Sequence, residues 1–131
     1  MKSSQVTQEA VYECHDRSTS ESRLLLLLQD GRSIVRVNAV LALAARVPAD
    51  ESAVVAALVK IASNSQGDDH TIIGTLTEPM LAAYALHAIN TSRCHLALKQ
   101  VEAHFTPLQC EDLYWHIKHN PVDRVSSAGQ P

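Results

Sequence analysis

The segment from Leu24 to Val47 constrains the fold of this chain more than any other, because it is typical of a helical hairpin. Five consecutive leucines are followed by Gln-Asp-Gly-Arg-Ser and then by an alanine-rich amphipathic run. Gly31 tolerates the left-handed backbone that commonly ends a helix, and small alanine side chains let two helix axes approach closely. One hairpin of this composition cannot bury its apolar faces alone, so we expect it to pack on further hairpins.

Capping residues and apolar spacing predict further helices on both sides of this hairpin. The run Ser18-Thr-Ser-Glu21 offers N-capping side chains for the first helix, and Ser18 with Glu21 three residues later is typical of a capping box. Further candidate caps, each next to an apolar run at helical spacing, are Ser33, Asp50, Thr91 or Ser92, and Thr106. Pro79 either interrupts the fourth helix or begins it, because proline suits only the first helical turn. The expected apolar set of the last helix is Leu113, Trp115 and Ile117.

The chain divides into three segments by composition. Residues 1–17 are mostly polar, although Val6, Ala10 and Cys14 recur at every fourth position, as they would in a short amphipathic helix. Residues 18–120 hold the helical hairpins and form the expected domain. Residues 121–131 contain Ser, Gly and Pro, and we expect them to be a flexible tail.

A constant offset of 43 residues relates the second and third helices to later ones. It places Ala39 on Ala82, Ala42-Leu43 on Ala85-Leu86, and Val55 on Leu98. Small residues therefore align with small ones, and large apolar residues with large ones. This pattern indicates an internal repeat.

The first hairpin resembles the HEAT-repeat family, whose repeats are about 40–47 residues long. A typical repeat of this family has leucines, an Asp-containing turn, Val-Arg, Ala and Ala-Leu in that order. The same order is found here in Leu27-Leu28, Asp30-Gly-Arg-Ser33, Val35-Arg36, Ala39 and Ala42-Leu43. The later repeats match mainly in apolar spacing, and Glu78-Pro79 stands where Val-Arg is expected. The resemblance implies an all-α fold, a right-handed α-solenoid of about three hairpins over residues 20–119. It also implies binding of another protein on a face lined by the second helix of each hairpin.

Four positions of the second helices that are usually polar in this family are apolar or aromatic here, and stacking would align them as one stripe. They are Val37, Leu41, Met80 and Tyr84. The polar residues expected to border the stripe are Arg36, Asn38, Arg46 and His87. An exposed stripe of this kind would suit a protein partner. Residues 1–17 or a second copy of the chain could cover it instead, and ordinary core packing is the third interpretation.

Candidate chemistry is weak along the whole chain. His116 and His119 lie three residues apart on the last predicted helix, and Asp112 could join them as a metal ligand. Two solvated histidines near a helix C-terminus are the simpler interpretation. Cys14-His15 and Cys94-His95 do not form catalytic dyads, because adjacent helical residues point about 100° apart. We therefore expect no enzyme activity, no cofactor and no bound metal.

Composition excludes several function classes. The net charge of −3 argues against nucleic-acid binding, which normally requires a basic face. The N-terminus lacks the apolar region of a signal peptide, and the apolar runs are too short to span a membrane. Three cysteines without a disulfide framework are typical of reduced thiols in a cytoplasmic protein.

The expected function is a non-enzymatic interaction module: an adaptor, an accessory subunit or an immunity-type inhibitor such as bacteria use against toxins. A structural homodimer closed by the stripe is the first alternative. A protein similar to the enzyme-associated HEAT proteins, such as bilin lyases or alkylpurine DNA glycosylases, is the second. The acidic balance and the single Trp argue against the glycosylase-like alternative.

Overall fold

The computed structural model describes residues 2–63, 71–73 and 76–119. Seven helices lie within this part: α1 (Lys2–His15), α2 (Glu21–Leu27), α3 (Ser33–Ala44), α4 (Glu51–Ala62), α5 (Glu78–Ile89), α6 (Ser92–Glu102) and α7 (Pro107–His119). A short antiparallel ribbon of β1 (Thr71–Ile73) and β2 (Leu76–Thr77) precedes α5. Apart from this ribbon, the described part of the chain is helical or irregular, so the all-α prediction is confirmed at this level. The predicted flexible tail at 121–131 lies outside the described residues.

Three of the predicted helix caps are confirmed by hydrogen bonds. Asp50 accepts the backbone N–H of Ala53 at 3.2 Å, and Thr91 accepts that of Cys94 at 3.1 Å. Thr106 accepts the N–H of Gln109 at 3.1 Å at the start of α7. Each bond satisfies one of the backbone donors left open in the first turn of a helix.

The predicted capping box at Ser18 is wrong, because α2 begins two residues later. Ser20 is the N-cap, and its hydroxyl accepts the N–H of Arg23 at 3.1 Å. The carboxylate of Glu21 instead accepts the backbone N–H groups of Ala49 and Asp50, at 2.9 and 2.8 Å. This residue therefore ties the start of α2 to the segment between α3 and α4.

The predicted cap at Ser33 is also wrong. Arg32 is the N-cap of α3 and makes no side-chain capping bond. Ser33 is the first residue of the helix, and its hydroxyl donates to Glu78 Oε1 at 3.1 Å. Pro79 lies in the first turn of α5, where its missing N–H costs nothing, so it begins this helix rather than interrupting it.

Helix α5 is the centre of the packing. It contacts α3, α4, α6 and α7, and eight of its twelve residues are buried. The helix ends at Ile89, and its C-cap Asn90 has a φ of 61°, the left-handed conformation that asparagine tolerates. No face of α5 is therefore left open over most of its length.

The remaining helices pack in a regular order. Helix α3 lies against α1, α2 and α5, and α4 contacts α6 as well as α5. Ala39 and Ala82, the alanines related by the offset of 43 residues, are both completely buried. None of the described helices combines the length and the apolar content needed to cross a bilayer.

Candidate functional site

The four residues expected to form an exposed stripe do not form one. Met80, Val37 and Tyr84 are only 1%, 5% and 6% exposed, and Leu41 is half-buried. Helix α1 packs on α3, and α5 is surrounded by its neighbours. The prediction that these residues are exposed is therefore wrong. Burial within the chain, by core packing and by helix α1 on α3, fits them better.

The polar residues expected to border the stripe make contacts within the chain. Asn38 Oδ1 lies 2.7 Å from His15 Nε2, which joins α3 to α1. Arg46 donates to the carbonyl oxygens of Thr19 and Asp16, at 2.6 and 3.2 Å. These bonds hold α1 and the turn after it against α3, so two of the expected border residues stabilise the fold instead.

His87 is half-buried near the end of α5. Burial is the main cause that lowers its pKa, and the neighbouring His95 lowers it further. The two rings meet edge to face with their centroids 6.2 Å apart. A half-buried imidazole with a lowered pKa is harder to protonate and is therefore poorly suited to select an acidic partner.

Asp112, His116 and His119 do not form a metal site. Across the described residues, no three His, Cys, Asp or Glu side chains are placed to share a metal ion. His116 is only 6% exposed, so the expectation of a solvated side chain is wrong for it. His119 stacks on Trp115, with centroids 4.3 Å apart, and its Nδ1 donates to the Trp115 carbonyl oxygen at 2.9 Å.

The cysteines do not present an activated nucleophile. Cys14 and Cys94 are buried, and Cys110 is half-buried. Burial raises the pKa of the Cys14 thiol, to which the Glu13 charge also contributes, and burial raises that of Cys110. A raised pKa keeps a thiol protonated and therefore unreactive.

One accessible surface of distinctive composition is the outer side of α7. Leu108 and Trp115 are 65% and 55% exposed, and their spacing of seven residues places them on one side of the helix. His119 lies on the same side of the helix, where its ring stacks on Trp115. We call Leu108, Trp115 and His119 the α7 face. Tyr114 is also exposed, and its hydroxyl donates to the Glu102 carboxylate.

A further accessible feature is a cleft between α2, α4 and the start of α5, with a volume of about 620 Å³. We call it the α2–α4 cleft. Its apolar lining consists of Leu25, Leu28, Ala57 and Ile61. Its polar lining consists of Gln29, Asp30, Gly31, Arg36, Lys60 and Glu78.

Two ion pairs fix the polar wall of the cleft. Arg36 donates to both carboxylate oxygens of Glu78, at 2.7 and 3.1 Å, and to the Asp30 carbonyl oxygen at 2.8 Å. Arg32 donates from Nε and Nη2 to the two oxygens of Asp30, both at 2.8 Å. Paired, two-point contacts of this kind are the most rigid that a guanidinium makes.

The Asp30–Arg32 pair predicts a loss of stability in acid. Hydrogen bonds from the Arg32 side chain and backbone lower the pKa of Asp30 from 3.8 to about 2. Because the folded pKa is the lower one, the stabilisation is complete above about pH 4 and is lost as the pH falls toward about 2. We expect the unfolding free energy of wild type to exceed that of Asp30→Asn at about pH 6, with a smaller gap at about pH 3. Urea unfolding at the two pH values measures this, and an equal gap at both would contradict it.

Sequence reasoning missed the α7 face and the α2–α4 cleft. Trp115 was expected in the core of the last helix, but that helix buries Leu113 and His116 instead. The only hint in the sequence that Trp115 could have a function was that it is the single tryptophan of the chain. The cleft joins residues far apart in sequence, and no local motif marks it.

No protein-family model matches this chain, and no curated protein or solved structure is significantly similar to it. Its function therefore has to be inferred from its own accessible surfaces. The α7 face is apolar and aromatic, and the α2–α4 cleft is concave and partly charged. These two features suit different kinds of ligand.

Proposed function

We propose that this protein is a non-enzymatic protein–protein interaction module, built as a small α-solenoid of HEAT-like hairpins. The order of helix contacts supports this architecture. Helices α1, α3, α5 and α7 follow one another in one row of contacts, and α4 contacts α6 beside them. Such an order is expected when hairpins stack on their neighbours in sequence. The free state of all three cysteines fits a reducing compartment such as the cytoplasm.

The exposed Trp115 on α7 is the observation that carries the proposed binding role. Helix α7 is the last described helix in the row, where a stacked fold normally presents a polar outer side. This end instead presents a tryptophan and a leucine that are both more than half exposed. Tryptophan is among the residues that contribute most to binding energy at protein interfaces. We therefore place the partner on the α7 face and not on the buried stripe.

Substitution of the α7 face should abolish partner binding without affecting the fold. We expect Leu108→Glu with Trp115→Glu to weaken binding more than about 100-fold, because charges replace the apolar centre of the interface. The measurement is affinity capture from the native cell extract, followed by titration of the purified partner against both proteins. Leu26→Glu is the matched control, because Leu26 is 60% exposed on α2.

A partner that binds wild type and the double variant equally, with both folded, would exclude the α7 face. If the only protein captured is the chain itself, the homodimer alternative replaces the adaptor. Sedimentation of the purified protein separates these cases, because dimerisation through α7 would double the mass of wild type and not that of the double variant.

A further inference from the structure

We propose that the α2–α4 cleft binds a small amphipathic carboxylate, a molecule with one anionic head and an alkyl or aryl body. The cleft is separate from the α7 face and does not depend on the protein partner proposed above. Its volume of about 620 Å³ is in the range of small-molecule sites in proteins, about 300–1,000 Å³. Its lining divides into an apolar side and a charged side, as such a ligand requires.

The apolar side of the cleft comes from α2 with its C-cap and from α4. Leu25 lies on α2 and Leu28 is the C-cap of that helix, whereas Ala57 and Ile61 lie on α4. Leu25, Ala57 and Ile61 are half-buried, so each offers apolar surface that a ligand could cover. Covering such surface is the main favourable contribution to binding an alkyl or aryl group.

The charges of the cleft favour an anion. Both acids are already engaged, Glu78 by Arg36 and Asp30 by Arg32. Lys60 is the exposed cation of the lining, and it makes no ion pair with another described residue. With Arg32 counted beside Asp30, the site holds three cations and two anions and is therefore complemented by one negative charge.

The number and type of available donors favour a carboxylate over a phosphate. A phosphate carries up to two charges and is best held by two-point arginine contacts. Both arginines here already make such contacts to carboxylates of the protein. One lysine ammonium beside apolar surface matches the single charge of a carboxylate. The fixed ion pairs also mean that the wall need not rearrange on binding.

Decanoate, below its micelle concentration, is the probe for this site. We expect it to bind 1:1 in calorimetric titration of the full chain, with backbone amide shifts confined to α2, α4 and the start of α5. Lys60→Gln should weaken binding about tenfold, and Lys60→Arg should largely restore it, because the change removes or keeps one charge contact. Lys118→Gln is the matched control, because Lys118 is an exposed lysine on α7.

A second variant tests the apolar half of the site. Ala57→Trp should fill the space beside Ile61 and reduce decanoate affinity at least tenfold, while circular dichroism reports an intact fold. 1-Decanol, which has the same chain without the charge, should bind at least tenfold more weakly than decanoate. The proposal is overturned if decanol binds as well as decanoate, if Lys60→Gln has no effect, or if the amide shifts centre on the α7 face.

Discussion

Met80→Glu is expected to unfold the protein. Met80 is 1% exposed on α5, the helix that contacts α3, α4, α6 and α7. A carboxylate at this position would lose its hydration on burial, and the apolar contacts of the methionine would be lost as well. Together these effects cost about 4 kcal/mol or more, a large part of the stability of a domain this size. Urea unfolding followed by circular dichroism should show little or no folded population.

Two control variants distinguish the effect of burying a charge at Met80 from a general sensitivity of the protein to an added charge. Met80→Leu keeps the volume and should cost less than about 1.5 kcal/mol. Leu108→Glu introduces the same charge at a position that is 65% exposed, and it should leave the unfolding free energy within about 0.5 kcal/mol of wild type. A folded Met80→Glu protein of near wild-type stability would mean that this side of α5 is accessible after all. The stripe predicted from the sequence would then again be a candidate binding surface.

Helix boundaries were predictable where the determining contacts are local. Asp50, Thr91 and Thr106 each cap a helix through an N–H group three residues later, and such a pattern is visible in the sequence. Glu21 shows the limit of this reasoning. Its carboxylate bonds Ala49 and Asp50, which lie 28 and 29 residues away, and no local motif predicts that choice.

The site prediction failed because burial depends on distant parts of the chain. The apolar or aromatic nature of Val37 and Tyr84 follows from the sequence, but the surface that a neighbouring helix covers cannot be predicted from it. Residues 1–17 were one of the expected covers of the stripe, and helix α1 within them packs on α3. For Trp115 the error was the reverse, because it was expected to be buried and is exposed. Helix α7 buries the side that carries Leu113 and His116 instead.

The α2–α4 cleft was beyond sequence reasoning for the same physical reason. Arg36 lies in the hairpin motif, where it was expected to border a binding stripe. Its partner Glu78 lies 42 residues later, at a position where the repeat pattern is broken by Pro79. The departure from the repeat pattern thus supplies the carboxylate that Arg36 of the first hairpin contacts.

The Arg36–Glu78 pair should contribute measurably to the packing of α3 on α5. The two side chains are 26% and 19% exposed, so water screens them only partly. Arg36→Met would leave the Glu78 carboxylate with the Ser33 hydroxyl and would remove the donor to the Asp30 carbonyl oxygen. We expect a loss of about 2–3 kcal/mol in the free energy of unfolding, measured by urea denaturation.

The double variant Arg36→Met, Glu78→Met distinguishes the contribution of the ion pair from the cost of leaving one charge buried without its partner. Removing one partner leaves the other partly buried and uncompensated, whereas removing both replaces the pair by apolar side chains of similar size. We therefore expect the double variant to be more stable than the less stable of the two single variants, with a coupling energy of about 2 kcal/mol. Strictly additive losses would show that the two residues act independently. The contact between α3 and α5 would then rest on apolar packing alone.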